Sequence, residues 1–162
     1  MKLHEQDARW IHRLAEWIAT GFGIGRAPVA PGTFGTLLGV ALFLALRELS
    51  EVWYVVCVVV LFIGGTFICR LAERQLGALD HPAIVFDEIV GYLCTMWHAP
   101  AGWPWLVIGF GLFRLFDIWK PFPIRRIEHL PNGFGVMADD VLAGIYGLVA
   151  LQVLAWLSTY VY

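Results

Sequence analysis

Acidic residues are few in this chain, yet several recur in adjacent or helix-spaced sets: Asp87 with Glu88, Asp139 with Asp140, and Asp117 with Arg114 three residues before it and Lys120 three after. Residues three apart share a helical face, so Arg114, Asp117 and Lys120 form one polar stripe. Carboxylates gathered with too few cations to neutralise them are a donor set for a hard divalent ion. Mg²⁺ in particular prefers a few carboxylates completed by water and phosphate oxygens. Groups that a phosphate needs are also present. Lys120, Arg125 and Arg126 follow Asp117 closely, and Arg26 precedes a Gly/Pro-rich loop. Gly32, Thr33, Gly35 and Thr36 open a helix whose free N–H groups suit an anion. Asp80, before His81 and Pro82, reads as a sixth acid of the site or as a solvated loop charge.

Each residue alone has a plainer reading. An acid in the first turn of a helix is favoured by the dipole and can cap free N–H groups, Thr33 could be an N-cap, and Arg114 with Asp117 could be a simple ion pair. Arg125 and Arg126 could be topology signals or contacts to anionic lipid, and the Gly/Pro loop a hinge. The five acids together resist this treatment. Neighbours on a helix point about 100° apart, so only one of an adjacent pair caps well, and one Arg does not neutralise five carboxylates. His98 and Trp103 read as interfacial residues, and Glu128 and His129 as surface residues of the loop before Pro131. No cysteine sits near an arginine in a polar loop, no Ser-Gly-His stretch offers a histidine nucleophile, and the Walker pattern is absent.

The elements that must position these residues follow from composition. The chain has 162 residues, 59% of them hydrophobic and 15% charged, with mean hydropathy +0.71. Soluble proteins average roughly 45–50% apolar and about 25% charged. The composition fits a membrane helix bundle and excludes disorder, collagen and coiled coil. A net charge of −2 provides no basic field for nucleic acid. Cys57, Cys69 and Cys94 lie in apolar runs without metal-binding spacing and read as buried, inert thiols. The first residues, Met1 to Glu16, carry no signal-peptide pattern.

The expected architecture is all-α, a polytopic bundle of about five spans in a single domain over 1–162. Residues 1–22 form an amphipathic interfacial helix, 23–36 a Gly/Pro loop that could be re-entrant, and 33–162 the bundle. In the first part Trp10, Ile11, Leu14, Trp17 and Ile18 recur opposite Arg9, Arg13 and Glu16. The spans are expected at about Thr33–Leu46, which is short, Val52–Cys69, Ile84–His98, Trp103–Trp119 and Val136–Tyr162. With the N-terminus inside, the cytoplasmic segments hold Lys2, Arg9, Arg13, Arg26, Arg70, Arg74, Lys120, Arg125 and Arg126, and the other side holds Arg47. Asp87, Glu88, Asp117, Asp139 and Asp140 then lie at one depth, the cytoplasmic edge of the bilayer, with the Pro31-Gly32-Thr33 entry to the first span.

Four segments carry a family resemblance: Gly23-Ile-Gly-Arg-Ala-Pro-Val-Ala-Pro-Gly-Thr-Phe-Gly-Thr36, Asp80-His-Pro-Ala-Ile-Val-Phe-Asp-Glu-Ile-Val-Gly91, Phe113-Arg-Leu-Phe-Asp-Ile-Trp-Lys-Pro-Phe-Pro-Ile124 and Gly133-Phe-Gly-Val-Met-Ala-Asp-Asp-Val-Leu-Ala-Gly-Ile-Tyr146. In order and spacing they resemble the signature blocks of the phosphatidylglycerophosphatase A family. The resemblance runs from about residue 7 to the C-terminus. It implies a protein of the bacterial inner membrane, and the multi-pass topology with the site on the cytoplasmic side follows from the spans and the Lys/Arg count above. Its activity would be Mg²⁺-dependent hydrolysis of the lipid phosphatidylglycerophosphate to phosphatidylglycerol and phosphate, in phospholipid biosynthesis. Carried over by position, the family's acids fall on Asp80, Asp87, Glu88, Asp117, Asp139 and Asp140, its basic partner on Lys120, and its loop on Pro31, Gly32, Thr33 and Gly35.

The expected chemistry is metal-assisted displacement at phosphorus. Asp87, Glu88, Asp117, Asp139 and Asp140 are the expected metal ligands. Arg26, Gly32, Thr33, Thr36, Arg114 and Lys120 are the expected phosphate contacts, with Lys120 or Arg114 stabilising charge on the transferred group. Asp140 or Asp80 is expected to handle the proton of the attacking water. An aspartyl-phosphate route, a lipid-phosphate transferase at the same carboxylates, and a divalent-cation transporter remain open. Transporter ligands, however, usually sit near the midplane rather than at one edge.

Overall fold

The computed structural model describes residues 2–159, with side chains from Trp10 onward. It is helical throughout, with no strand among the described residues. Helix α1 (Lys2–Ala19) is followed by a 3₁₀ turn (Ile24–Arg26), then α2 (Pro31–Leu46), α3 (Glu51–Leu76), α4 (Phe86–Thr95), α5 (Trp103–Trp119), the single-turn α6 (Ile124–Ile127) and α7 (Phe134–Ser158).

The long helices are α3 and α7, at about 1.5 Å per residue each well over the roughly 30 Å hydrocarbon core. Both are long and apolar enough to cross a membrane, and only 17% and 22% of their most apolar stretches are buried inside the protein. A soluble core helix would be mostly covered. Instead Val52, Val56, Val60, Ile63 and Phe67 of α3, and Ile145, Val149, Val153 and Trp156 of α7, are exposed along the helix sides. On α1, Trp10, Ile11, Leu14 and Trp17 are exposed whereas Ala15 and Ala19 are buried against the bundle, so the apolar stripe expected of an interfacial helix faces outward.

Boundaries shift for physical reasons. α2 begins at Pro31 rather than Thr33, because proline at the first position has no N–H to satisfy and its fixed φ suits a helix start. α3 continues two turns past Cys69, through Arg70, Glu73 and Arg74, to a left-handed C-cap at Gly77. The third expected span, Ile84–His98, is helical only over Phe86–Thr95. Ten residues rise about 15 Å, half a bilayer core. This short helix is also the most enclosed, with Val90, Tyr92, Leu93 and Thr95 inaccessible to solvent.

Four helices pack around α4. Tyr54 on α3 donates its hydroxyl to Leu93 O (2.8 Å), and Tyr92 donates to Leu106 O on α5 (3.2 Å). The Val85 N–H, just before α4, donates to Ala19 O at the end of α1 (2.9 Å). The tightest seam is with α7. A Cβ on Gly144 would overlap the Gly91 carbonyl oxygen, and one on Gly91 would meet the Asp140 carbonyl oxygen at 2.7 Å. Thr95 completes the seam by donating to Gly144 O at 3.2 Å. Of the cysteines expected to be buried, Cys69 is, whereas Cys57 and Cys94 are only partly buried on apolar helices.

The Gly91–Gly144 seam sets how α4 and α7 lie against one another. Gly144→Ala is expected to destabilise the fold by about 1–3 kcal/mol through overpacking, read as a lower thermal midpoint in detergent. An unchanged midpoint would show that the two backbones do not meet there.

Candidate active site

The α4–α7 seam leads directly to the acids. Asp87 and Glu88 occupy the first turn of α4, and the Glu88 N–H donates to Asp87 Oδ1 at 3.1 Å, so Asp87 does satisfy one of the helix's free donors. A span beginning at Val136 would put Asp139 and Asp140 in its first turn, and the structure corrects this. Helix α7 starts at Phe134, which places Asp139 and Asp140 beyond its first turn, where no free N–H remains to be capped. Both are nevertheless buried, each 3% exposed.

Two linked clusters result. In the first, carboxylate oxygens of Asp87, Glu88 and Asp140 all lie within 4.8 Å of one another. Asp117, beside Asp140, is bound by Arg114 Nη1 at 2.5 Å, and the same nitrogen is 3.7 Å from Glu88 Oε1. Gly32, the second residue of α2, closes this cluster, because any Cβ there would strike Glu88 Oε1 and crowd the Arg114 guanidinium. In the second, Lys120 Nζ donates to Asp139 Oδ2 and to Glu128 Oε2, each at 2.6 Å. Burial works against the Lys120 ammonium, but Asp139 and Glu128 outweigh it and hold its pKa above the ordinary lysine range. Asp139 and Asp140 are neighbours in the chain, so the clusters are continuous.

The negative charge is incompletely answered from within. Glu88 Oε2, Asp139 Oδ1 and Asp140 Oδ2 are buried without a hydrogen-bond partner. A buried carboxylate oxygen left this way is costly unless something binds it. One oxygen each of Asp87, Glu88 and Asp140, all within 4.8 Å of one another, fits a hard cation such as Mg²⁺ in both chemistry and spacing.

The group lies at one end of the bundle. Cys69, the last residue of the apolar run of α3, is within electrostatic reach of Glu88 and Asp140, and Arg70 follows it. His98 pairs with Glu51 at the opposite end (3.2 Å), where Gln152 donates to Trp97 O and His98 O.

Of the expected site residues, the fold brings together Asp87, Glu88, Asp117, Asp139, Asp140, Arg114, Lys120 and Gly32, with Thr33 partly buried next to Gly32. Asp80 is exposed in a left-handed turn within electrostatic reach of Lys120 and Asp139, and its N–H donates to Glu73 Oε1 at 3.2 Å. Two expected phosphate contacts stand elsewhere. Thr36 is fully buried and donates its hydroxyl back to Gly32 O (2.8 Å), so it serves its own helix. Arg26 is mostly exposed and pairs with Glu16.

Two acids were not anticipated. Glu128 is no loose surface residue but the second ligand of Lys120, and nothing in its spacing eight residues away across a proline-rich turn signals this. Glu73 is buried and holds the Asp80 turn; its position four residues after Cys69 is a usable signal once α3 is known to continue.

A profile of the family described as phosphatidylglycerophosphatase A matches residues 17–155. The chain belongs to this family. It is thereby one of a family of phosphatase enzymes, and all the acids of both clusters fall inside the matched segment. A phosphatidylglycerophosphatase A of Haemophilus influenzae is 42% identical over 137 residues, 83% of this chain and 84% of that protein. One of Escherichia coli is 35% identical over 130 residues, 79% and 76% of the two chains. A protein of Bacteroides thetaiotaomicron with the provisional name phosphatidylinositol-3-phosphatase is 41% identical over 147 residues, 86% and 92% of the two. No solved structure matches the chain. Two membrane-capable helices and these bacterial relatives mark a membrane protein of the phosphatidylglycerophosphatase A family.

Lys120 neutralises Asp139 in a buried setting, so Lys120→Ala leaves an uncompensated charge and is expected to destabilise the protein by about 3–5 kcal/mol. Adding Asp139→Asn should recover much of that loss. Additive effects in this double-mutant cycle, followed by thermal unfolding in detergent, would contradict the pairing.

Proposed function

We propose that this protein hydrolyses the terminal phosphomonoester of phosphatidylglycerophosphate, yielding phosphatidylglycerol and phosphate, with Mg²⁺ held by Asp87, Glu88 and Asp140. The observation that carries this reading is the convergence of those three carboxylates with buried, unpartnered oxygens on Glu88 and Asp140. Family membership supplies the reaction class and the substrate of the named relatives. Mg²⁺ bound there would neutralise phosphate charge and lower the pKa of a bound water.

The chain's own residues divide the remaining work. Arg114, fixed by Asp117 and close to Glu88, places a guanidinium where charge develops on the transferred group. We assign the proton of the attacking water to Asp139, because Asp140 belongs to the three carboxylates that would hold the metal and Asp80 is exposed. Lys120 fixes Asp139 Oδ2, while Asp139 Oδ1 is buried and unpartnered, so that oxygen can take the proton of an attacking water. Glu128 holds Lys120 in that position from its other side. Gly32 leaves the room that Arg114 and Glu88 need beside the α2 N-terminus, where an anion is favoured.

We place the enzyme in the bacterial inner membrane as a multi-pass protein whose five main bundle helices run alternately up and down, with α4 reaching only part-way through the hydrocarbon core. Supporting this, α2, α4 and α7 begin at the acidic end whereas α3 and α5 finish there, so the helices alternate in direction. The excess of lysine and arginine at that end argues for the cytoplasmic face. A headgroup phosphate reaches that depth with its acyl chains still in the bilayer. A transporter site is less consistent with an acidic cluster at one edge.

Purified protein should release phosphate from phosphatidylglycerophosphate, lose that activity in EDTA and regain it with Mg²⁺. Asp87→Asn, Glu88→Gln and Asp140→Asn should each lower turnover by at least about a hundredfold while the protein stays folded. Activity that persists without metal would overturn the mechanism. Loss of folding with normal turnover per folded molecule would return these acids to a structural role.

A further inference from the structure

Arg125 and Arg126 are cations at the acidic end that neither carboxylate cluster uses. Both are exposed, and neither pairs with a carboxylate among the described residues. They are not loosely hung. Ile124 beside them is fully buried, and Tyr146 on α7 donates its hydroxyl to Phe122 O at 3.1 Å. Arg125 Nη2 donates to Trp119 O (3.2 Å), and the Arg126 guanidinium stands 4.9 Å above the Phe122 ring. The α5–α6 turn is thus pinned at Lys120 by Asp139 and Glu128, at Phe122 by Tyr146, and at Ile124 by the core.

Arg125 and Arg126 line an open cavity of about 440 Å³ together with Trp119, Lys120 and Phe122. Trp119 and Phe122 are largely exposed apolar rings, as is the neighbouring Ile118 side chain, so this rim suits the boundary between headgroups and acyl chains. Lys120 belongs to both the cavity and the carboxylate centre, and so makes them adjacent. The paired arginines therefore stand on the side of Lys120 away from the carboxylates, in the cavity that adjoins them through that residue.

We propose that Arg125 and Arg126 form a subsite for a phosphodiester, selecting substrates in which a second, internal phosphate lies one glycerol from the phosphomonoester. This rests on the proposed function and adds the part of the substrate that is recognised without reacting. Guanidiniums suit that task, because they stay charged and offer forked donors to phosphate oxygens. The stacking of Arg126 over Phe122 orients its fork without consuming its donors.

The test uses purified protein in neutral detergent micelles, comparing the parent with Arg125→Gln/Arg126→Gln. Phosphatidylglycerol, which carries the diester alone, and inorganic phosphate, which probes the monoester site alone, serve as competing inhibitors of phosphatidylglycerophosphate hydrolysis. The double variant should raise both the KM for phosphatidylglycerophosphate and the inhibition constant of phosphatidylglycerol by at least about tenfold, with inhibition by inorganic phosphate shifting less than about twofold. Arg125→Lys/Arg126→Lys should recover part of the loss and serves in its place if the glutamine pair does not fold. Unchanged inhibition by phosphatidylglycerol would overturn the subsite. Equal weakening of inhibition by phosphatidylglycerol and by laurate, an anion with no phosphodiester, would reassign the arginines to general contact with anionic amphiphiles. If the parent releases no phosphate from phosphatidylglycerophosphate, the proposed function itself falls, and the subsite with it.

Discussion

Negative charge buried at the end of an apolar bundle is the constraint on which the rest of this structure turns. Asp87, Asp139 and Asp140 are almost wholly enclosed, and Glu88 and Asp117 are only slightly more open. Arg114 and Lys120 are the cations that touch them. Taking an ion out of water costs several kcal/mol even after relaxation, so two cations leave most of that cost uncovered. Glu88, Asp139 and Asp140 each keep a buried oxygen without a partner, which places the deficit at defined atoms. A fold that maintains this arrangement is suited to receiving a cation and the phosphate that follows it.

The bundle holds the acids together by close approach of backbones. Where Gly91 and Gly144 meet, no side chain separates α4 from α7, and the acids on either side of that seam converge within one ion's reach. The brevity of α4 serves the same end. Its first turn lies at the acidic level and its last is already among Tyr54, Phe43 and Met96, so the whole helix is enclosed by neighbours that fix its rotation. Arg114 and Lys120 then perform distinct tasks. Arg114 joins Glu88 to Asp117, while Lys120 ties Asp139 to the turn that carries Arg125 and Arg126.

Much of this was legible in the sequence, and the exceptions have physical causes. The spacing of Arg114, Asp117 and Lys120 and the doublets Asp87-Glu88 and Asp139-Asp140 pointed to one centre, and the fold does bring them together. α5 runs from Trp103 to Trp119 as read, because Gly102 and Pro121 bound it. Thr36 was misplaced because a threonine one turn into a helix can satisfy its hydroxyl on the carbonyl four residues back, a contact that pattern alone does not reveal. Arg26 was drawn toward the site by its place before the loop, yet Glu16 one helix earlier was nearer. Glu128 was missed because its partner Lys120 lies across a turn with no helical period, and only the folded α5–α6 connection brings them together. Hydropathy also overstated the third span: an apolar run reports burial, and for α4 the covering is protein.

The central claim is that the carboxylates of α4 and α7 form one divalent-cation site. Electron paramagnetic resonance of Mn²⁺, a spectroscopic stand-in for Mg²⁺, tests this without reference to turnover. The account predicts that the purified parent binds Mn²⁺ in competition with Mg²⁺, diminishing the free-ion spectrum, and that Asp140→Asn, folded to the same thermal midpoint or higher, leaves that spectrum undiminished. Mn²⁺ bound equally well by parent and Asp140→Asn, or by neither, would contradict it.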